Sequence, residues 1–147
     1  MEKAEIRPAR LSDAEAIARL CSDDLGYACT ASFVRRKLAA ALENPCARVF
    51  VAEAGGAVAG YIHVADYDVL YFDTMKNVLG LAVSADCRRQ GIGTALLGAV
   101  EAWARETGAC GVRLNSGMTR TGAHDFYRRN GYTGEKAQMR FIKTLAP

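Results

Sequence analysis

Arg88-Arg89-Gln90-Gly91-Ile92-Gly93 lies between an apolar run, Val78 to Val83, and a helix-patterned stretch, Thr94 to Thr107. Two glycines one residue apart let the backbone turn tightly and bring its N–H groups close to a ligand. A helix opening at such a turn adds amides with no partner in the helix, together with the positive end of its dipole. Phosphate oxygens are the natural ligand for that combination. Arg88 and Arg89 add full charges able to pair with phosphate. The segment therefore reads as a diphosphate cradle.

Two common phosphate loops fit it poorly. The nucleotide-hydrolase loop needs Lys-Ser/Thr after its last glycine, and Gly93 is followed by Thr94-Ala95. The dinucleotide fingerprint needs a third glycine where Leu96 stands, and it should open a βαβ unit. The segment instead resembles the signature of the GNAT superfamily of acyl-CoA-dependent N-acyltransferases, Arg/Gln-x-x-Gly-x-Gly/Ala, carried here by Arg88, Gly91 and Gly93. A second segment, Ala123-His124-Asp125-Phe126-Tyr127-Arg128-Arg129-Asn130-Gly131-Tyr132, resembles the later motif of that superfamily, Ala-x-x-x-Tyr, three residues, then Gly-Phe/Tyr. A strand-like run, Val112 to Asn115, separates the two. The opening, Ile6-Arg7-Pro8-Ala9 with Asp13-Ala14, and the hairpin pattern around Gly55-Gly56 also match, so the resemblance covers nearly the whole chain.

Composition is consistent with this. A chain of 147 residues, half of them apolar, can bury the core of one domain. Its mean hydropathy is near zero, and no apolar run approaches the roughly 18–20 residues that cross a bilayer. A net charge of +3 is too small to argue for nucleic acid. Five scattered cysteines form no CxxC pair and, with two histidines, no zinc pattern. An odd number of thiols and an N-terminus without a secretory apolar region suit a cytoplasmic protein. Arg88, Arg89, Arg113, Arg120, Arg128 and Arg129 concentrate positive charge in the second half, which suits a polyphosphate cofactor.

Periodicity supplies the elements. Ser12-Asp13-Ala14-Glu15 reads as a capping box before a helix with an Ala14, Ile17, Leu20, Cys21 stripe. A second helix, from about Ser32 to Glu43, should bury Val34, Leu38, Ala41 and Leu42. Arg48 to Ala54 and Ala57 to Ala65 read as strands joined at a glycine turn. Ile92, Ala95, Leu96, Ala99, Val100 and Trp103 form one face of the helix after the cradle, with Trp103 a packing residue. Lys136 to Leu145 reads as a terminal strand. The fold class is mixed α/β: one domain, residues 1–147, with a mixed, mostly antiparallel sheet, splayed at its middle, and helices on both faces.

The resemblance implies a site. Acetyl-CoA is the expected acyl donor, and no metal is expected. Its contacts would come from Leu81, Ala82 and Val83 on the strand before the loop, then Arg88, Arg89, Gln90, Gly91, Ile92, Gly93 and Thr94. Asn115, Arg120, Ala123 and Tyr127 would complete them. The strand carrying Leu81 should splay from its neighbour near Leu114 and Asn115, with the N–H of Ala82 or Val83 binding the thioester oxygen. Tyr127 matches the position whose hydroxyl faces the sulfur, and a phenol of pKa about 10 is protonated at neutral pH. The alternative for a helix aromatic is packing on Phe126 and Gly131, which the motif context makes the weaker reading.

Two positions depart from the family pattern. Many members carry an acid on the strand before the loop, where this chain has Leu79 and Gly80, and many carry Asn where Arg120 stands. Candidate substitutes lie in the connection between two strands, where Asp66, Asp68 and Asp73 alternate with aromatics suited to a cationic amine. They could equally be solvated residues at a hairpin end. His63 reads as a structural residue of an alternating strand, His124 as outward-facing, and Cys87 as a small packing residue. The amine proton is expected to leave through water. The expected activity is transfer of an acetyl group to a primary amine by direct attack, in a homodimer. The alternative is a non-catalytic acyl-CoA sensor.

Overall fold

The computed structural model describes residues 3–146. They pack as two compact units, one ending at Leu114 and one beginning at Asn115. The first unit holds five strands: β1 (Glu5–Pro8), β2 (Ala47–Ala54), β3 (Ala57–Val69), β4 (Phe72–Val83) and β5 (Val112–Leu114). Their order in the sheet is the order in the chain. β1 to β4 pair antiparallel, and β5 joins β4 in parallel. Helices α1 (Ala14–Asp23), α2 (Ala31–Glu43) and α3 (Ile92–Glu106) belong to this unit.

Alternation along the strands decides which helix packs where. Val49 and Val51 of β2, Tyr61 of β3 and Ala82 of β4 point to one face and form a core with Ala14, Ile17, Leu20, Val34 and Leu38 of α1 and α2. The opposite face meets α3, whose Ile92, Leu96, Leu97, Val100 and Trp103 are buried. A Cβ on Gly60 would stand 3.3 Å from both Ile92 and Leu96, so only glycine lets α3 lie this close to β3. Each large aliphatic side chain buried there contributes about 1.5–3 kcal/mol. Cys21 is half-buried against the first core, as its stripe predicts, whereas Leu42 faces solvent instead of the core.

The start of α1 differs in detail from the sequence reading. A short 3-10 turn, Leu11–Asp13, precedes the helix. Asp13, rather than the Ser12–Glu15 pair, reaches back to accept the Arg10 amide at 2.7 Å. The reason is Arg7 on β1, which donates two hydrogen bonds of 2.9 Å to the same carboxylate. Both side chains are nearly buried.

The second unit contains α4 (Thr121–Arg129). The strand expected from Lys136 to Leu145 is not formed, and Met139, Phe141, Ile142 and Leu145 are exposed. A strand exists only where another edge supplies its hydrogen bonds, and this unit offers none among its described residues.

Candidate functional site

The cradle is built by one left-handed turn and a helix start. Gly91 is the N-cap of α3 at φ +78°, a conformation that a side chain with Cβ adopts only with strain. Arg89 is also left-handed, at φ +65°. The helix starts at Ile92, two residues before the sequence pattern suggested, because Ile92 is already in the core. Gly93 therefore lies in the first helical turn, and of the two glycines Gly91 is the one in the bend. The first intrahelical bond comes from Ala95 to the Gly91 carbonyl at 3.0 Å. The amides of Ile92, Gly93 and Thr94 consequently have no helical acceptor, and no side chain caps the end. A Cβ at Gly91 would meet open space, so the cradle opens outward. Gln90 and Arg89 are exposed beside it. Arg88 is ion-paired with Asp24 at the end of α1.

β4 leads into this turn, and its pairing changes where the resemblance places the splay. β4 and β5 share only Lys76–Val112, Asn77–Arg113 and Val78–Leu114. On the other side, the register with β3 runs from Val64–Val78 to His63–Gly80, which leaves Leu79 as an extra residue. Such a bulge bends and twists the strand that carries it. Beyond it, Gly80 to Val83 pair with β3 alone among the described strands, and the β5 ladder no longer continues on the other side. Leu81, Ala82 and Val83 lie on that stretch. This bulge left no mark in the sequence reading, since Leu79 merely extends an apolar run.

At the bulge, Gly80 sits beneath Tyr61. A Cβ there would stand 3.0 Å from the Tyr61 hydroxyl, which is paired with the Cys21 thiol at 3.2 Å. The hydroxyl thus fills the space of a side chain at Gly80, a physical reason for glycine where many family members carry an acid. Burial pushes the Tyr61 phenol far up from its ordinary value, and pushes the Cys21 thiol up as well.

Asp66, Asp68 and Asp73 lie on the β3–β4 hairpin itself, not on a loop: β3 runs to Val69, Leu70 and Tyr71 form the turn, and β4 begins at Phe72. Asp66 pairs with the buried Lys76 at 2.5 Å, and Lys76 Nζ lies 3.6 Å from the centre of the Trp103 ring. Asp68 accepts a hydrogen bond of 2.9 Å from the Thr74 hydroxyl. Asp73 is exposed beside the aromatic tip, where Tyr71 meets Phe72 edge-on at 5.0 Å.

In the second unit, Tyr127 is half-buried on α4 between Phe126 and Tyr132, with ring centres 5.2 and 6.1 Å away. Gly131, at φ +88°, turns the chain so that the Tyr132 amide bonds the Tyr127 carbonyl at 3.0 Å. That is why the motif needs glycine before its last aromatic. Burial raises the Tyr127 phenol above its usual value, partly offset by the positive Arg120. Arg120 is the N-cap of α4, and Ala123 is half-buried in its first turn. His124 does not simply face outward: a ring nitrogen is 2.9 Å from the Gly117 carbonyl. Asn115 opens this unit.

An uncapped helix start behind a left-handed glycine, reached from a bulged strand, stands where the signature resembling the acyltransferase superfamily lies in the sequence. Residues 14–132 match the acetyltransferase (GNAT) family, and the chain belongs to it. It is 30% identical to an aminoalkylphosphonate N-acetyltransferase of Salmonella typhimurium, over 99% of this chain and 94% of the relative. The fold is that of aminoglycoside N-acetyltransferase AAC(6')-Iy solved with CoA, at a TM-score of 0.87 and 15% identity, covering 99% of this chain and 97% of that one. The 6'-N-acetyltransferase AAC(6')-Ih from Acinetobacter baumannii matches at 0.85 and 15% identity, over 98% and 100% of the two chains. Among the described residues no helix is long and apolar enough to cross a membrane.

Proposed function

We propose that this protein moves an acetyl group from acetyl-CoA to the primary amine of a small molecule. The observation that carries the reading is the uncapped start of α3 behind Gly91, directly downstream of the stretch of β4 beyond the β5 ladder. The first-turn amides and Arg89 suit the pyrophosphate, and Arg88 would join them on leaving Asp24. The stretch from Leu81 to Val83 suits the amide-bearing arm, with a backbone N–H of Ala82 or Val83 polarising the acyl oxygen. Gln90, Ile92, Gly93 and Thr94 complete the loop contacts, and Asn115, Arg120 and Ala123 are proposed contacts from the later motif. When bound, the cofactor supplies an activated acyl group that an amine can attack directly. Tyr127 keeps its proton on Oη at neutral pH, because burial holds it there, and can give it to a departing thiolate. A single acetyltransferase domain over residues 1–147, cytoplasmic and homodimeric and without a metal, completes the reading.

The Salmonella relative, named as an aminoalkylphosphonate N-acetyltransferase, supports a small-molecule amine as acceptor. Exposed Asp68 and Asp73 could hold a cationic acceptor at the hairpin, whereas Asp66 is already committed to Lys76. The missing carboxylate at Leu79–Gly80 favours one other reading, a non-catalytic acyl-CoA sensor. One assay separates them. Coenzyme A release from acetyl-CoA is followed with aminoethylphosphonate, an aminoglycoside, a polyamine and lysine. Turnover with any of these supports the enzyme. Tight coenzyme A binding with no turnover across the panel supports the sensor.

A further inference from the structure

Acetylation of an amine requires that a proton leave it, because an alkylamine with a pKa near 10 is almost wholly protonated at neutral pH. The bulge residues of β4, Leu79 and Gly80, carry no carboxylate. The hairpin aspartates are remote: Asp66 pairs in register with Lys76, four residues from Gly80, which is about 13 Å along a strand.

Another group is much nearer. The residue paired with Gly80 across the ladder is His63 on β3. Residues directly opposite on antiparallel strands place their side chains on the same face, about 4.5–5.5 Å apart at Cβ. Gly80 has no side chain, and the group that stands over it on this face is the hydroxyl of Tyr61, two residues before His63 on β3. His63 is half-buried, and its ring makes no hydrogen bond to any described residue.

We propose that His63 is the base that takes the proton from the acceptor amine, which approaches β4 beyond the β5 ladder from the face covered by α1 and α2. This assignment rests on the acetyltransferase reading and departs from the sequence-based expectation that the proton leaves through water, with Asp66, Asp68 and Asp73 as candidates to steer it. α3 closes the opposite face, where Ile92 and Leu96 lie over Gly60.

The groups around His63 leave it suited to this task. From α2, the positive Lys37 acts on it, and burial disfavours its charged form. Both hold it below the ordinary imidazole value, so the free base predominates at pH 7. Val49 on β2 and Gly80 on β4 flank it without charge. Tyr61 on the same strand, Cys21 from α1 and Cys29 from the segment after it are further titratable groups of that face, and Arg7 and Asp13 lie there paired with each other. Tyr61 and Cys21 are pushed toward their protonated forms. Neither can act as a base at neutral pH.

The proton balance is simple. A ring nitrogen of His63 takes one proton from the ammonium, directly or through one water, and later returns it to solvent. The amine nitrogen forms its bond to the acyl carbon as the carbon–sulfur bond breaks and the electron pair leaves on sulfur. The second proton that nitrogen sheds is matched by the one sulfur takes up.

The test compares wild-type protein with His63→Gln and His63→Asn, each checked for folding by thermal melting with coenzyme A. Wild-type kcat for acetylation of aminoethylphosphonate, or of whichever amine in the panel turns over, should rise below pH 6.5 and level off by pH 7. Each variant should lose at least about tenfold in kcat at pH 7 and climb steadily toward pH 9–10, with coenzyme A affinity unchanged. Lys37→Ala should move the acid limb of the wild-type profile to higher pH. Independently of turnover, the His63 imidazole resonance should titrate below the ordinary value and shift when the amine is added. Folded variants with wild-type kcat and profile, or an imidazole signal blind to the amine, would overturn the assignment alone. A wild-type protein that acetylates no amine overturns the acetyltransferase reading, and the assignment with it.

Discussion

At the scale of the residue, the proposed proton tasks of Tyr127 and His63 are opposite, and each rests on its surroundings. Tyr127 is half-buried between two aromatic rings, and its phenol is raised above the ordinary value. It should therefore stay protonated across the whole neutral range and beyond pH 10. Tyr127→Phe keeps the ring packing and should lower kcat by roughly ten- to a thousandfold, with little change in the KM for acetyl-CoA. Steady-state kinetics checks both numbers, and equal turnover would mean that the thiolate leaves unassisted. Asp13 offers a stability counterpart. Hydrogen bonds from Arg7 hold its carboxyl below the usual carboxylate value. A lowered folded pKa means that this stabilisation is complete above about pH 4 and is lost as the pH falls through the depressed value. Asp13→Asn should cost about 2–4 kcal/mol at pH 7, since it leaves the nearly buried Arg7 with only the longer pair to Glu53 at 3.5 Å. Urea denaturation of both proteins at pH 7 and pH 3 should show the gap narrowing at the lower pH.

At the scale of the element, the site depends on how one strand ends and one helix begins. The cradle needs φ +78° at Gly91, so Gly91→Val must strain the turn or displace the first-turn amides. Calorimetry should find coenzyme A binding weakened by at least about tenfold, because the helix-end phosphate contacts are lost. Unchanged affinity in a folded variant would remove the cradle from the site. The bulge in β4 is tested by a double-mutant cycle. Gly80→Ala places a methyl group 3.0 Å from the Tyr61 hydroxyl and should push it away from Cys21. The cost should fall by about 0.5–1 kcal/mol when the hydroxyl is already gone in Tyr61→Phe. The glycine of the cradle was legible because a turn into a helix has a chemical signature. The bulge was not, because an extra residue in a ladder is defined only by its partner strand. The start of α1 teaches the same lesson: Ser12-Asp13-Ala14-Glu15 has capping-box composition, yet an arginine five residues before Ser12 decides which acid does the capping.

At the scale of the whole molecule, charge and topology matter more than any single contact. The net charge of +3 is small, but the arginines gather in the second half, with Arg88 and Arg89 at the cradle. Coenzyme A affinity should fall several-fold between low salt and 0.5 M salt, and Arg89→Ala should flatten that dependence. An affinity indifferent to salt would place the phosphates on backbone amides alone. The sequence by itself determined the family, the mixed α/β fold class, most of the helix faces and the glycine turn that opens α3. These are encoded locally, in 3.6-residue and two-residue periods and in glycines at turns, so neighbours along the chain suffice to specify them. Leu42 and the run from Lys136 to Leu145 show the limit of that logic, since apolar character alone does not supply a partner to pack or pair with. The tertiary structure alone decided the rest. It placed Leu79 as the extra residue, ended the β5 ladder at Val78, put the Tyr61 hydroxyl over Gly80 and set His63 opposite that glycine. It also committed Asp66 to Lys76 beneath Trp103. Each of these depends on which residues of distant segments face one another across a sheet, and register is a property of two strands that neither carries in its own sequence.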